Sequence, residues 1–190
     1  MYDPHTIADY IIHKYHNQKS MKYKWRGLSI FDLMKIMYLI QGYCLAKYKT
    51  PMFVENLQGS YSKLVYIETI HNDYRSNIIN VEKLFFDEPT ERLSKRAVEI
   101  IDHVFVKYVQ SKKYGVIDDI IFDPDGAYFK SRADRWTFNL IKPEMLELQF
   151  AEIIRKEYEL VKLTEGDKLK SRIEKMKLTF KKIWDNITKI

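Results

Sequence analysis

His13 and His16 stand one helical turn apart, close enough for two imidazoles to share a metal ion. No cysteine or carboxylate accompanies them at a recognised ligand interval, and Asp3 and Asp9 are the nearest acids, so the pair reads as surface histidines. Asp123-Pro124-Asp125-Gly126 has the opening of a calcium loop, but the third oxygen ligand and the closing glutamate are missing and a proline intrudes. A turn is expected there instead. Asp118 and Asp119 are paired carboxylates of the kind acid–base catalysis uses, yet adjacent residues on a helix point in different directions. The single cysteine, Cys44, cannot form an internal disulfide and falls among apolar residues, which marks a buried thiol rather than a nucleophile. The sequence has no glycine-rich phosphate loop, nucleophile elbow or paired His and Ser motif. Neither a catalytic residue, a metal nor a cofactor is therefore expected, and the chain reads as a binding protein, not an enzyme.

Two segments have binding chemistry. Between Lys19 and Arg26 the cations Lys22, Lys24 and Arg26 are interleaved with Tyr23 and Trp25, a pattern able to contact phosphates and stack on bases. The same aromatics equally suit a loop anchored to a core, since one short patch makes few phosphate contacts. The second segment is the C-terminus. Residues 168–190 hold eight lysines or arginines against Glu174 and Asp185, whereas residues 1–167 carry 24 basic and 24 acidic side chains. The whole net charge of +6 thus belongs to one terminal element. Within it Leu169, Ile173, Met176, Phe180, Ile183 and Ile187 are spaced 4, 3, 4, 3, 4, an a/d heptad seam. Lys170, Lys177, Lys181 and Lys182 lie outside the seam and form a cationic surface suited to an acidic partner or a nucleic acid, while Phe180 and Trp184 are candidates for direct partner contact. The seam is expected to close on its own chain, on a partner, or on a second copy in a homo-oligomer.

The elements that must position these groups read as helices. Six Gly and five Pro leave few tight turns for an all-β architecture, while 46% hydrophobic and 14% aromatic residues are ample for a core. Asp3-Pro4 opens a first helix with Ile7, Ala8, Ile11, Ile12 and Tyr15 on one face. Ser29 with Asp32 has capping-box spacing and precedes a run that is apolar nearly all round, from Leu33 to Leu45, which predicts a central buried helix. Gly59-Ser60 is expected to open a third helix through Leu64, Val65, Ile67 and Ile70, and residues 77–86 a short strand or packed irregular segment. A fourth helix begins near Thr90 or Ser94, a short one covers Val116 to Ile121, and Asp123 to Arg135 reads as a polar loop. Lys142-Pro143-Glu144 starts a helix carrying Leu146, Phe150, Ile153 and Leu160. Thr164 to Asp167 then supplies a turn into the last helix, making an αα-hairpin whose second arm spans about 35 Å. The fold class expected is mainly α: a compact helical bundle over residues 1–140 with a short extended segment, and a C-terminal helical hairpin over 141–190. No run of about 18 apolar residues is present, so no membrane partner and a cytoplasmic location are expected.

Three blocks resemble the Panacea domain family, the SocA-like proteins of bacteria, phages and mobile elements. Thr6-Ile7-Ala8-Asp9-Tyr10-Ile11-Ile12 is similar to the family's opening helix. Leu33-Met34-Lys35-Ile36-Met37-Tyr38-Leu39-Ile40-Gln41-Gly42-Tyr43 resembles its leucine-x-lysine, tyrosine, glutamine-glycine helix, and Thr50-Pro51-Met52-Phe53 its proline-aliphatic-phenylalanine link. The third block departs: Gly59-Ser60-Tyr61 stands where the family has glycine-proline-valine, although Tyr66 keeps the family's distance of seven from the glycine. Residues 119–132 resemble the closing block loosely, with Tyr128 where a tryptophan is usual. The resemblance spans roughly residues 4–132. It implies an antitoxin that neutralises a cognate protein toxin by direct contact, with Gly59 and Tyr66 in the partner-binding region; the C-terminal hairpin, which lies outside the resemblance, is expected to add specificity. The alternative is a nucleic-acid-binding regulator of phage or mobile-element origin, using Lys22, Lys24, Trp25 and Arg26 together with the basic final helix.

Overall fold

A helix that is apolar on every side has to be surrounded, and α2 (Ile30–Tyr48) is the core helix of residues 1–151 for that reason. It starts at Ser29, whose Oγ accepts the Asp32 amide N–H at 3.0 Å, while the Asp32 carboxylate accepts the Ser29 amide N–H at 3.4 Å. This is the capping box that the spacing predicts. The helix ends at Lys49, left-handed at φ 58°, whose N–H reaches the Leu45 carbonyl at 2.9 Å. From Leu33 to Leu45 all but Lys35 are buried. The computed structural model describes residues 1–17, 28–60, 63–76, 93–111, 113–131 and 139–187, with side chains in the last helix as far as Thr164 and at Glu174. The strand expected within 77–86 and the basic aromatic stretch 19–26 lie outside the described residues.

Around α2 pack α1 (Pro4–Asn17), α4 (Lys95–Val104) and α5 (Tyr114–Ile121); α1 and α4 present the apolar faces their periodicity predicts, and α5 buries Ile117 and Ile121. Ser94 caps α4 by accepting the Ala97 N–H at 3.3 Å, and α4 runs on as a π-helical turn, Phe105–Gln110. In that turn Phe105, Tyr108 and Val109 are all buried. Lys14 of α1 meets the Asp102 carboxylate at 2.5 Å, which matches charge to an Oδ1 shut away from solvent. At the start of α1, His5 lies between Asp3 (Nδ1 to Oδ1, 2.8 Å) and Asp73 (Nε2 to Oδ2, 2.5 Å). Burial opposes protonation of His5, but its hydrogen bonds to the two carboxylates prevail and its pKa is raised.

Three expectations are corrected. No helix begins at Gly59. Residues Gln58–Gly59 (β1) and Val65–Tyr66 (β2) form a small antiparallel hairpin, and only Glu68–Arg75 is helical (α3). Ser60 N–H donates to the Leu64 carbonyl at 2.9 Å, and Lys63 takes up φ 56°; β-branched Val65 and Ile67 then favour extended backbone. Asn139–Leu140 (β3) joins the other side of β1, giving the order β2-β1-β3. Second, the stretch expected to be a polar loop after Asp123 contains a turn of helix, Ala127–Lys130 (α6), that buries Tyr128 completely.

Third, the C-terminal hairpin is absent: Pro143–Ile187 is one continuous helix, α7, 45 residues and about 67 Å long. Gly166 costs a helix only about 1 kcal/mol, and the Thr164 hydroxyl donates to the Leu160 carbonyl at 2.8 Å, a bond compatible with helical backbone. Without a proline nothing forces the chain to turn. The described chain divides into two compact units, Met1–Ala151 and Glu152–Ile190. Among the described residues no helix is long and apolar enough to cross a membrane.

Candidate partner-binding surface

Gly59 and Tyr66 share one hairpin but face opposite ways, because paired residues in a ladder occupy the same face and their neighbours the other. Gly59 pairs with Val65 and Asn139 on the buried face. A Cβ at Gly59 would come within 2.9 Å of the Tyr128 ring, whose hydroxyl donates to the adjacent Ser60 carbonyl. Tyr128 is thus locked over a glycine. On the outer face Gln58 lies between Tyr66 and Leu140, giving a row across three strands. Tyr66 and Gln58 are half-buried and Leu140 is 48% exposed. The Tyr66 hydroxyl bonds His71 Nδ1 at 2.8 Å, with ring centroids 4.5 Å apart. Burial, aided by the nearby Arg75 cation, lowers the His71 pKa, which favours the neutral ring. An aromatic, an amide and an aliphatic side chain in a row are the ingredients of a protein contact.

Residues 41–43 of α2 tie the 52–53 link, Phe150 and Tyr108 into the core. Gln41 is buried, and its Oε1 accepts the N–H groups of Met52 and Phe53 at 2.8 and 3.3 Å while Nε2 donates to the Phe53 carbonyl at 3.3 Å. One amide therefore adds three hydrogen bonds to a segment that also pairs with Tyr2. Gly42 leaves the space that the Phe150 ring fills. Tyr43 meets that ring edge-on at 5.1 Å and bonds Tyr108 at 2.6 Å, hydroxyl to hydroxyl. Lys107 donates to the Tyr43 hydroxyl at 3.2 Å. Glutamine, glycine and tyrosine in this order each perform a task that depends on their chemical type.

No family model matches this chain, and no curated protein or solved structure was found to be similar to it.

The remaining candidates are placed as follows. Among the described residues no group of three or more His, Cys, Asp or Glu is arranged to hold a metal. His13 is bonded to Asn17 at 2.8 Å and His16 packs edge-on against Tyr15. Asp118 pairs with Lys35 at 2.5 Å, and Asp119 is exposed. Asp123 accepts the Asp125 N–H at 3.0 Å through Oδ1, and its carbonyl accepts the Gly126 N–H at 2.8 Å; the loop is a turn that starts α6. Burial raises the pKa of the Cys44 thiol. Lys22, Lys24, Trp25 and Arg26 lie outside the described residues, as do the side chains of Lys170, Lys177, Phe180, Lys181 and Trp184, whose backbone is part of α7. Gln58, Leu140 and His71 are additions that the sequence did not suggest. Two-residue strands leave no period to detect, and Leu140 reaches the row only through long-range pairing.

Proposed function

We propose that this chain is an antitoxin-like protein that neutralises a cognate protein toxin in the cytoplasm by direct contact, with unit Met1–Ala151 as the scaffold and the C-terminal segment contributing specificity. The observation that carries this reading is the outward row Tyr66–Gln58–Leu140, built on the hairpin that holds the resembling glycine and tyrosine. The resemblance of residues 33–43 to the family helix supports it further, since Gln41 and Gly42 of that block hold the 52–53 link and the Phe150 ring in place. The test is co-expression with the product of an adjacent small toxin gene. Growth should be rescued by the full chain, and rescue and co-purification should both be lost with Tyr66→Ala combined with Leu140→Lys while the helical circular dichroism is retained. Undiminished protection by that variant removes the sheet face from the account, and failure of the full chain to protect removes the antitoxin reading itself.

The concentration of basic residues in 168–190 favours a second reading, a nucleic-acid-binding regulator. Duplex DNA binding that weakens steeply between two salt concentrations supports it, and no binding at low salt eliminates it.

A further inference from the structure

A short helix depends on what it is packed against, and α3 is packed against little. Of its eight residues only Ile70 is buried. Asp73, one turn on, shares that face and reaches across to α1, where its Oδ2 lies 2.5 Å from His5 Nε2. The other ring nitrogen, Nδ1, lies 2.8 Å from Asp3 Oδ1, the atom that also accepts the His5 amide N–H at 2.8 Å at the start of α1. A third carboxylate, the half-buried Asp9, follows one turn along α1; burial raises its pKa and the His5 charge works against that rise. Glu68, His71, Tyr74 and Arg75, the other ionisable side chains of α3, make no hydrogen bond to the His5 ring. Thr69 N–H ties α3 to Glu55 Oε1 at 3.2 Å, a bond that leaves the Asp73 face to His5.

A neutral imidazole carries one N–H and cannot donate to two carboxylates, whereas the imidazolium donates to both. We propose that His5 is a pH-sensitive latch: its doubly protonated ring docks α3 on α1, and loss of one proton releases the helix. With Nδ1–H retained by the local bond to Asp3, the neutral ring turns the Nε2 lone pair toward the Asp73 carboxylate, at a distance that requires a proton between them. Asp3, Asp9 and Asp73 then face one another without the imidazolium, and like charges repel. The His5 pKa lies above its ordinary 6.5, so the latch is closed from the carboxylate range up to that value and is lost as pH rises through the folded-state one. Asp3 lies below its ordinary 3.8, chiefly because the His5 amide N–H donates to it, and stays a carboxylate throughout. The consequence reaches the sheet, since α3 carries His71, whose Nδ1 meets the Tyr66 hydroxyl at 2.8 Å, and a freed α3 withdraws that partner. Burial and Arg75 hold His71 below 6.5, so the two rings titrate on opposite sides of that value. The latch is independent of the antitoxin reading, because docking of α3 is a property of the chain alone.

NMR of the full chain reads both the proton and the helix. The His5 ring resonances should titrate with a midpoint above 6.5. Hydrogen-exchange protection of the α3 amides, corrected for the intrinsic pH dependence of exchange, should fall between about pH 6 and about pH 8.5, while that of Ile40 in α2 stays constant. Linkage makes the loss about tenfold for each unit by which docking raises the His5 midpoint, so the two measurements check each other. Asp73→Asn should lower the midpoint and flatten the pH dependence of α3 protection. His5→Ala should give α3 the low protection of the parent's alkaline form at both pH values. A His5 midpoint at or below 6.5, α3 protection in the parent chain that ignores pH, or a pH dependence left intact by Asp73→Asn overturns the proposal.

Discussion

Gly42 is the residue whose replacement says most about the core. It sits on the buried core helix, and a Cβ there would overlap the Phe150 ring, so even a methyl group forces the aromatic or the helix to move. Gly42→Ala gains helix propensity of about 1 kcal/mol but overpacks the core at about 1–3 kcal/mol, and net destabilisation is expected in urea unfolding. The diagnostic measurement is the double variant. If the clash with Phe150 is the cause, Phe150→Leu costs less in the Gly42→Ala background than in the parent chain. Strictly additive effects would place the damage elsewhere. That Gln41-Gly42 formed an informative pair was visible in the sequence as part of a family-like block, but the tasks of the two residues were not. Gln41 acts on a link about one helix-length onward, and Gly42 on a ring far along the chain, at Phe150; neither partner leaves a local periodic signal.

Elements with strong local signals were legible and those decided by marginal energies were not. Ser29 caps the helix its spacing indicates, Ser94 is the one of the two expected starts, Thr90 or Ser94, that caps α4, and the apolar faces of α1, α2 and α4 are those read from periodicity, because capping and burial act within a few residues. The β1–β2 hairpin was misread as helix because Leu64, Ile67 and Ile70 also fit a helical spacing, and strands of two residues offer no alternation against it. Thr164 to Asp167 was misread as a turn because glycine and small polar residues mark turns, although one glycine weakens a helix without ending it. Spin labels at Lys156→Cys and Leu178→Cys, diluted with unlabelled chain so that each pair lies within one molecule, test this directly. The continuous helix places them about 33 Å apart, whereas a folded-back hairpin brings them to roughly 10 Å. Gly166→Ala should also raise the helical signal, since it removes the weakest position in α7.

At the scale of the whole chain, charge is divided as unevenly as structure. Residues 1–167 balance 24 cations with 24 anions, so the long-range field arises from the terminal segment. On the proposed function, contact and steering should be separable, because side chains of the sheet face would hold a partner by packing while the lysines of 168–190 would act through a field that salt screens over about 8 Å at physiological ionic strength. Replacing Lys170, Lys177 and Lys181 by glutamine lowers the net charge from +6 to +3 without touching the seam or the sheet. For an acidic protein partner, the association rate of the parent chain should fall as salt rises. In the triple variant the low-salt rate should drop by an order of magnitude or so and become nearly insensitive to salt, with dissociation little changed. A triple variant that keeps the full salt dependence would move the steering charges elsewhere, and one that dissociates much faster would make those lysines direct contacts. A duplex DNA partner behaves differently, since its equilibrium affinity itself falls with salt and each lost phosphate contact flattens the logarithmic slope by about 0.9. One set of substitutions, read in rates and in equilibria, therefore separates a steered protein contact from a phosphate contact.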